Sequence, residues 1–192
     1  MLIVALRSLV ALCMLYALMR HRREVLSRSG WAPGAVAGAL FALEYLLVAE
    51  ALRLTQASHV IVFLYTAPIF AALGLQIRLP SERLGLVQWT GIALAFGGIA
   101  RAFLGGTDGM PVGVAGQALL GDALALLAGI AWGATTVVIR CSALASAPAT
   151  ETLMYQLLGA FIVLLPAAWL TGQWRFEPTA EVSGAVIGIG RK

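Results

Sequence analysis

Charge is scarce in this chain. Only 11% of its 192 residues are Asp, Glu, Lys or Arg, against about 25% in a soluble domain, while 60% are hydrophobic and the mean hydropathy is +0.90. A water-soluble domain is excluded, and the chain reads as resident in a bilayer. Lysine is nearly absent, occurring once at Lys192, so the pI of about 9.6 is the work of arginine. The arginines stand singly or cluster between apolar runs and form no long basic patch. That excludes a nucleic-acid surface and leaves them as topology signals. Cysteine occurs twice, at Cys13 and Cys141, in or at the edge of apolar runs, and both read as small buried hydrophobes rather than a disulfide or a metal pair. The sequence has no HExxH, CxxC, GxGxxG, Walker A or GxSxG pattern, so no catalytic, cofactor or metal site is expected and the chain does not read as an enzyme. No basic stretch precedes the first apolar run and no small-residue cleavage site follows it, so a cleaved signal peptide is not expected.

Long apolar runs are what the chain has in abundance. About 30 Å of hydrocarbon takes roughly 20 apolar residues at 1.5 Å each, and six runs qualify: Leu2 to Met19, Pro33 to Leu52, His59 to Ile77, Leu86 to Leu104, Leu120 to Ile139 and Leu153 to Leu170. A seventh begins at Val182 and stops at Gly190, too short to span. The reading is an all-α membrane protein, a bundle of about six transmembrane helices plus a partial seventh. The first, third and fifth connections hold Arg20, Arg22, Arg23, Arg28, Arg78, Arg83 and Arg140, and the alternate ones only Arg53, Arg101 and Arg175. The former are then cytoplasmic and the N-terminus lies outside. The longest connection, "GGTDGMPVGVAGQ" from Gly105 to Gln117, reads as a flexible glycine-rich linker between two halves.

Within the runs, Gly34 with Gly38 and Gly129 with Gly133 are GxxxG pairs, and Gly91, Gly97 and Gly98 lie on the fourth run; all read as helix packing surfaces. Glu44 sits at the centre of its run, where an acidic side chain costs on the order of 3 kcal/mol and usually faces a bundle interior or aqueous path. Glu50 can pair with Arg53 at i+3 near the surface. His59 opens the third run, where an imidazole stays wet, and reads as a surface residue rather than a proton relay. Arg7, a third of the way into the first run, can snorkel or line a cavity. Tyr155 and Gln156 start the sixth run as an interfacial belt, whereas Tyr65 and Trp132 lie deeper as candidates for a substrate cavity. In "FLYTAPIFAALGLQIRL", Phe63 to Leu79, Pro68 stands at mid-run. It is expected to bend the helix at mid-membrane beside Tyr65, where transporters place broken helices. The substrate-pathway candidates are thus Glu44, Tyr65, Pro68, Trp132, Arg7 and Gln156.

Two stretches carry a resemblance. "ALRLTQASHVIVFLYTAPIFAALGLQIRLPSERLGLVQWTGIALAFGGI", Ala51 to Ile99, with its A-x-x-A/S start, "APIF", the loop holding Glu82 and Arg83, and glycines at 91, 97 and 98, resembles the fourth and fifth helices of the EamA-type drug/metabolite transporter superfamily. "GDALALLAGIAWGATTVVIR", Gly121 to Arg140, resembles the opening helix of that family's second half. The resemblance implies an inverted five-plus-five helix repeat: residues 1–104 as a first repeat lacking its first helix, 105–119 as the connecting loop, and 120–192 as the start of a second repeat. The chain would then be truncated at both ends. Laying "LMYQLLGAFIVLL" over "IVALRSLVALCML" matches apolar for apolar, with Gln156 near Arg7. The function implied is a secondary transporter, an exporter or exchanger of a small metabolite or drug working by alternating access in the inner membrane. A proton or counter-substrate would drive it, a homodimer is compatible, and no cofactor or nucleic acid is involved. The alternative is an inactive remnant, or a half-transporter that assembles with a partner.

Overall fold

A computed structural model of the chain describes residues 2–24, 26–79, 84–105 and 112–170. The short seventh run from Val182, Arg175 and the Glu82–Arg83 loop lie outside the described residues. Among the described residues, seven α-helices follow in order: α1 (Leu2–Arg22), α2 (Trp31–Leu54), α3 (Ala57–Leu64), α4 (Ala67–Arg78), α5 (Leu86–Gly105), α6 (Val112–Arg140) and α7 (Ala149–Leu170). All six apolar runs are helical, and the third is divided into α3 and α4. Among the described residues, the stretches 28–54, 57–78, 113–140 and 149–170 are each long and apolar enough to cross a membrane. The helix of the fifth run begins at Val112 rather than Leu120, so Gly113 and Gly116 of the glycine-rich connection are helical.

The longest helix, α6, is the spine of the bundle. It packs against α2 on one side and against α3 and α4 on another, while α2 also packs on α7 and α7 on α1. Close approach rests on small residues. A Cβ on Gly38 would lie 2.5 Å from the Tyr155 carbonyl oxygen, and one on Gly159 would lie 2.3 Å from that of Gly38, so only glycine lets α2 and α7 meet backbone to backbone. The larger apolar side chains do the converse: Met14, Ile61, Ile77, Leu94 and Ile162 point outward, as expected where the surrounding solvent is lipid. Gly91, Gly97 and Gly98 differ from their sequence reading, since a Cβ at any of them meets nothing within 4 Å among the described residues. Cys13 and Cys141 differ as well. Both are exposed: an apolar run says that a residue avoids water, not which way it faces.

Candidate functional site

The helix break comes first in the geometry. Pro68 is the second residue of α4 and has no N–H to offer Leu64, and the chain answers by turning at Tyr65 and Thr66. The Thr66 hydroxyl donates to the Phe63 carbonyl at 2.6 Å, its N–H donates to the same oxygen at 3.1 Å, and its own carbonyl accepts from Ile69 N–H at 2.9 Å. Pro166, by contrast, sits inside α7 without dividing it. The turn is pressed onto α6 through Gly129, where a Cβ would lie 2.7 Å from Thr66 Oγ1 and 2.8 Å from the Phe63 carbonyl; Gly133 receives the start of α4 in the same way. The GxxxG pair of α6 therefore seats the broken helix.

Glu44 lies level with this break. Thr55 sits against Gly121, and Ala51 packs in one cluster with Ala125. Extending that antiparallel register along α2 and α6 sets Glu44 opposite Trp132, between the glycines that seat Thr66 and Ala67. Glu44 is 9% exposed, and its Oε2 has no hydrogen-bond partner among the described residues. Trp132 stands near Tyr65, with ring centroids 6.4 Å apart, but both are exposed, Tyr65 to 67%. Among the described residues the pair therefore lies on the outside of the bundle and not in the interior cavity expected from the sequence. Arg7 of α1 donates from Nη2 to the Tyr45 hydroxyl at 3.0 Å, beside Glu44 in sequence, and Tyr45 meets Phe41 edge to face. Of the six sequence candidates, Tyr65 and Pro68 lie at the break with Trp132 near Tyr65, Glu44 shares their level on α2, and Arg7 reaches α2 through Tyr45. Gln156, half-buried on α7, belongs to the level of Gly34 and Gly38 instead.

A second polar site was not legible in the sequence. Asp122 of α6 is fully buried (0% exposed), accepts from the Thr55 hydroxyl at 2.7 Å, and holds His59 Nδ1 at 3.2 and 3.1 Å from its two carboxylate oxygens. His59 is thus more than a wet surface residue: its side chain is 28% exposed and ion-pair close to a buried carboxylate. A cavity of about 260 Å³ opens beside the pair, lined by Arg53, Gln56, His59 and Ala118 among others. Arg53 is held at its rim by Glu50, at 3.1 and 3.0 Å, the i+3 pair read from the sequence.

A third cluster sits at the far end of the same bundle. Arg23, at φ 57°, ends α1 in a left-handed turn that lets Glu24 N–H reach the Met19 carbonyl at 3.0 Å. The Glu24 carboxylate then accepts from the Thr150 hydroxyl. Neighbouring Glu151, buried in the first turn of α7, accepts from Ser27 N–H at 3.0 Å, packed against Gly30. Carboxylates are favoured at such N-terminal turns, and this knot ties α1, α2 and α7 together. Its signal, an acidic residue just after Pro148, was available but weak.

A polytopic helical membrane protein with one broken helix, and a buried carboxylate on the other side of the same central helix, has features found in membrane transporters. Comparison with known proteins gives the family. The EamA-like transporter family matches residues 1–104 and 119–190, and the chain belongs to it; it is a multi-pass protein of a family of membrane transporters. Comparisons with curated proteins and with solved structures returned no match.

Proposed function

We propose that the chain acts as a secondary transporter that moves a small metabolite or drug across the cytoplasmic membrane by alternating access, as an exporter or exchanger. The observation that carries this reading is Glu44. An acidic group held away from water with an unpaired oxygen costs free energy that a purely structural position would not retain. It lies level with Tyr65, Trp132 and the break before Pro68, where two half-helices can move against each other. In this reading the aromatic pair, exposed on the outside of the described bundle, offers a face to the substrate, and Glu44 takes up a proton or faces a polar or cationic group of the cargo. Arginine placement supports an orientation with Arg20, Arg78 and Arg140 in the cytoplasm and the Thr55 end outside. The two matched segments, 1–104 and 119–190, support two repeats related by inversion, with 105–119 between them.

The test is flux in proteoliposomes across a panel of small amines, amino acids and aromatic drugs, with and without a pH gradient. Glu44→Gln keeps the shape and removes the charge, and it is expected to lower flux by roughly 100-fold while the protein still folds. Flux unchanged in rate and pH dependence ends the role of Glu44. A wild-type chain that moves nothing alone but gains flux on coexpression with a second family member supports the half-transporter reading. Cross-linking would then show whether a homodimer is the working unit.

A further inference from the structure

Asp122 lies outside the level of Glu44 and plays no part in the reading above. A carboxylate fully withdrawn from water persists only where donors or an opposite charge replace its hydration. Among the described residues, those donors are Thr55 Oγ1 and His59 Nδ1. Thr55 caps the end of α2 and His59 lies in the first turn of α3, so the carboxylate ties the α2–α3 junction to α6. The strength of the tie depends on His59. An imidazolium meets the carboxylate as a charge-assisted pair, a neutral ring only as a single N–H donor, and histidine is the side chain that ordinarily exchanges its proton between pH 5 and 8. The ring borders the cavity beside Arg53 and Gln56, which gives the proton a path to water. The other charges on α2, α5 and α6 are Glu44, at the level of Trp132 on α2, Arg53, already bound to Glu50, and Arg101, exposed on α5; α6 has no other charged side chain before Arg140. At its opposite end α3 stops at the Tyr65–Thr66 turn. This eight-residue helix is therefore fastened at one end by the pair and hinged at the other.

We propose that Thr55, His59 and Asp122 form a proton-binding latch. A proton on His59 holds α3 against α6; its loss frees α3 to swing about Tyr65–Thr66 and opens the cavity toward the interior of the bundle. The latch stands on this geometry, and only its place in a transport cycle rests on the transporter reading.

Ala125 reports the motion, because it is fully buried in one cluster with Val60 and Phe63 of α3. In the full chain, reconstituted in liposomes with Cys13→Ala and Cys141→Ala, the labelling rate of Ala125→Cys by a membrane-impermeant maleimide is divided by that of a free thiol at the same pH. The ratio is expected to rise roughly tenfold between about pH 5.5 and about pH 8. It should become flat in His59→Gln and in Asp122→Asn, with Asp122→Asn open at both pH values. Val60→Cys, buried on α3 itself, is the second reporter should the first disturb folding. Flat ratios from both reporters in the parent, or a pH dependence that survives His59→Gln, overturn the latch. The readout does not depend on flux. A chain that labels in the expected pattern but moves no substrate keeps the latch and loses the transporter reading; one that transports while labelling flat does the reverse.

Discussion

Glu44 and Asp122 are both carboxylates buried in membrane-crossing helices, yet they are treated oppositely. Asp122 faces a hydroxyl and an imidazole; Glu44 keeps an oxygen with no partner among the described residues. A saturated carboxylate holds its surroundings in place. An unsaturated one leaves interaction free energy for a proton or a ligand, at a standing cost to the fold. Removing a partner from Asp122 is therefore expected to weaken the protein, whereas removing Glu44 is not.

The largest effect is expected at His59. His59→Leu strips the imidazole from a carboxylate buried from water, leaving only the Thr55 hydroxyl among the described residues; breaking a buried pair this way costs about 3 kcal/mol. Unfolding in a detergent series measures it. A loss below about 0.5 kcal/mol, the level of an exposed pair, would mean that Asp122 is hydrated and that the contrast with Glu44 does not exist.

The second test concerns the packing between the two carboxylates. Gly129 stands on α6 between Asp122 and Trp132, with Thr66 Oγ1 and the Phe63 carbonyl both inside the space a Cβ would need. Gly129→Ala must push α3 and α4 off α6, at about 2 kcal/mol for overpacking. Gly91→Ala on α5, where a Cβ meets nothing within 4 Å, is expected to be neutral or to stabilise slightly through helix propensity. Equal effects at the two glycines would show that the helix break is not seated on α6 as described.

How much of this was legible depends on whether a feature is local. Pro68 announces the division of the third run because its missing N–H acts on its own helix, and Glu44 announces itself because a charge at mid-run is anomalous wherever its neighbours lie. Asp122 carries no such signal. It stands two residues inside its run, where an acid reads as part of the interface, and its partners Thr55 and His59 lie 67 and 63 positions away. His59 was misread for the same reason. Only the fold, which lays the α2–α3 turn on the outer part of α6, joins the three. Gly91, Gly97 and Gly98 differ in the other direction: none is approached within 4 Å among the described residues, because small residues record that a close approach is allowed and not that one is made.

The smallest expected effect has the opposite sign and bears most directly on the contrast. Glu44→Leu fills a similar volume and removes a carboxylate oxygen that has no partner, so the folded protein should gain about 1 kcal/mol, the lower end of the penalty for an unsatisfied buried polar group. The gain should appear in the same unfolding series, alongside the loss of flux expected of Glu44→Gln. That combination separates a functional carboxylate from a structural one, because a group kept for packing cannot be removed with benefit to the fold and harm to activity together. Destabilisation by Glu44→Leu would show that the carboxylate is hydrogen-bonded in the membrane, and would place Glu44 beside Asp122 as a fastening between helices.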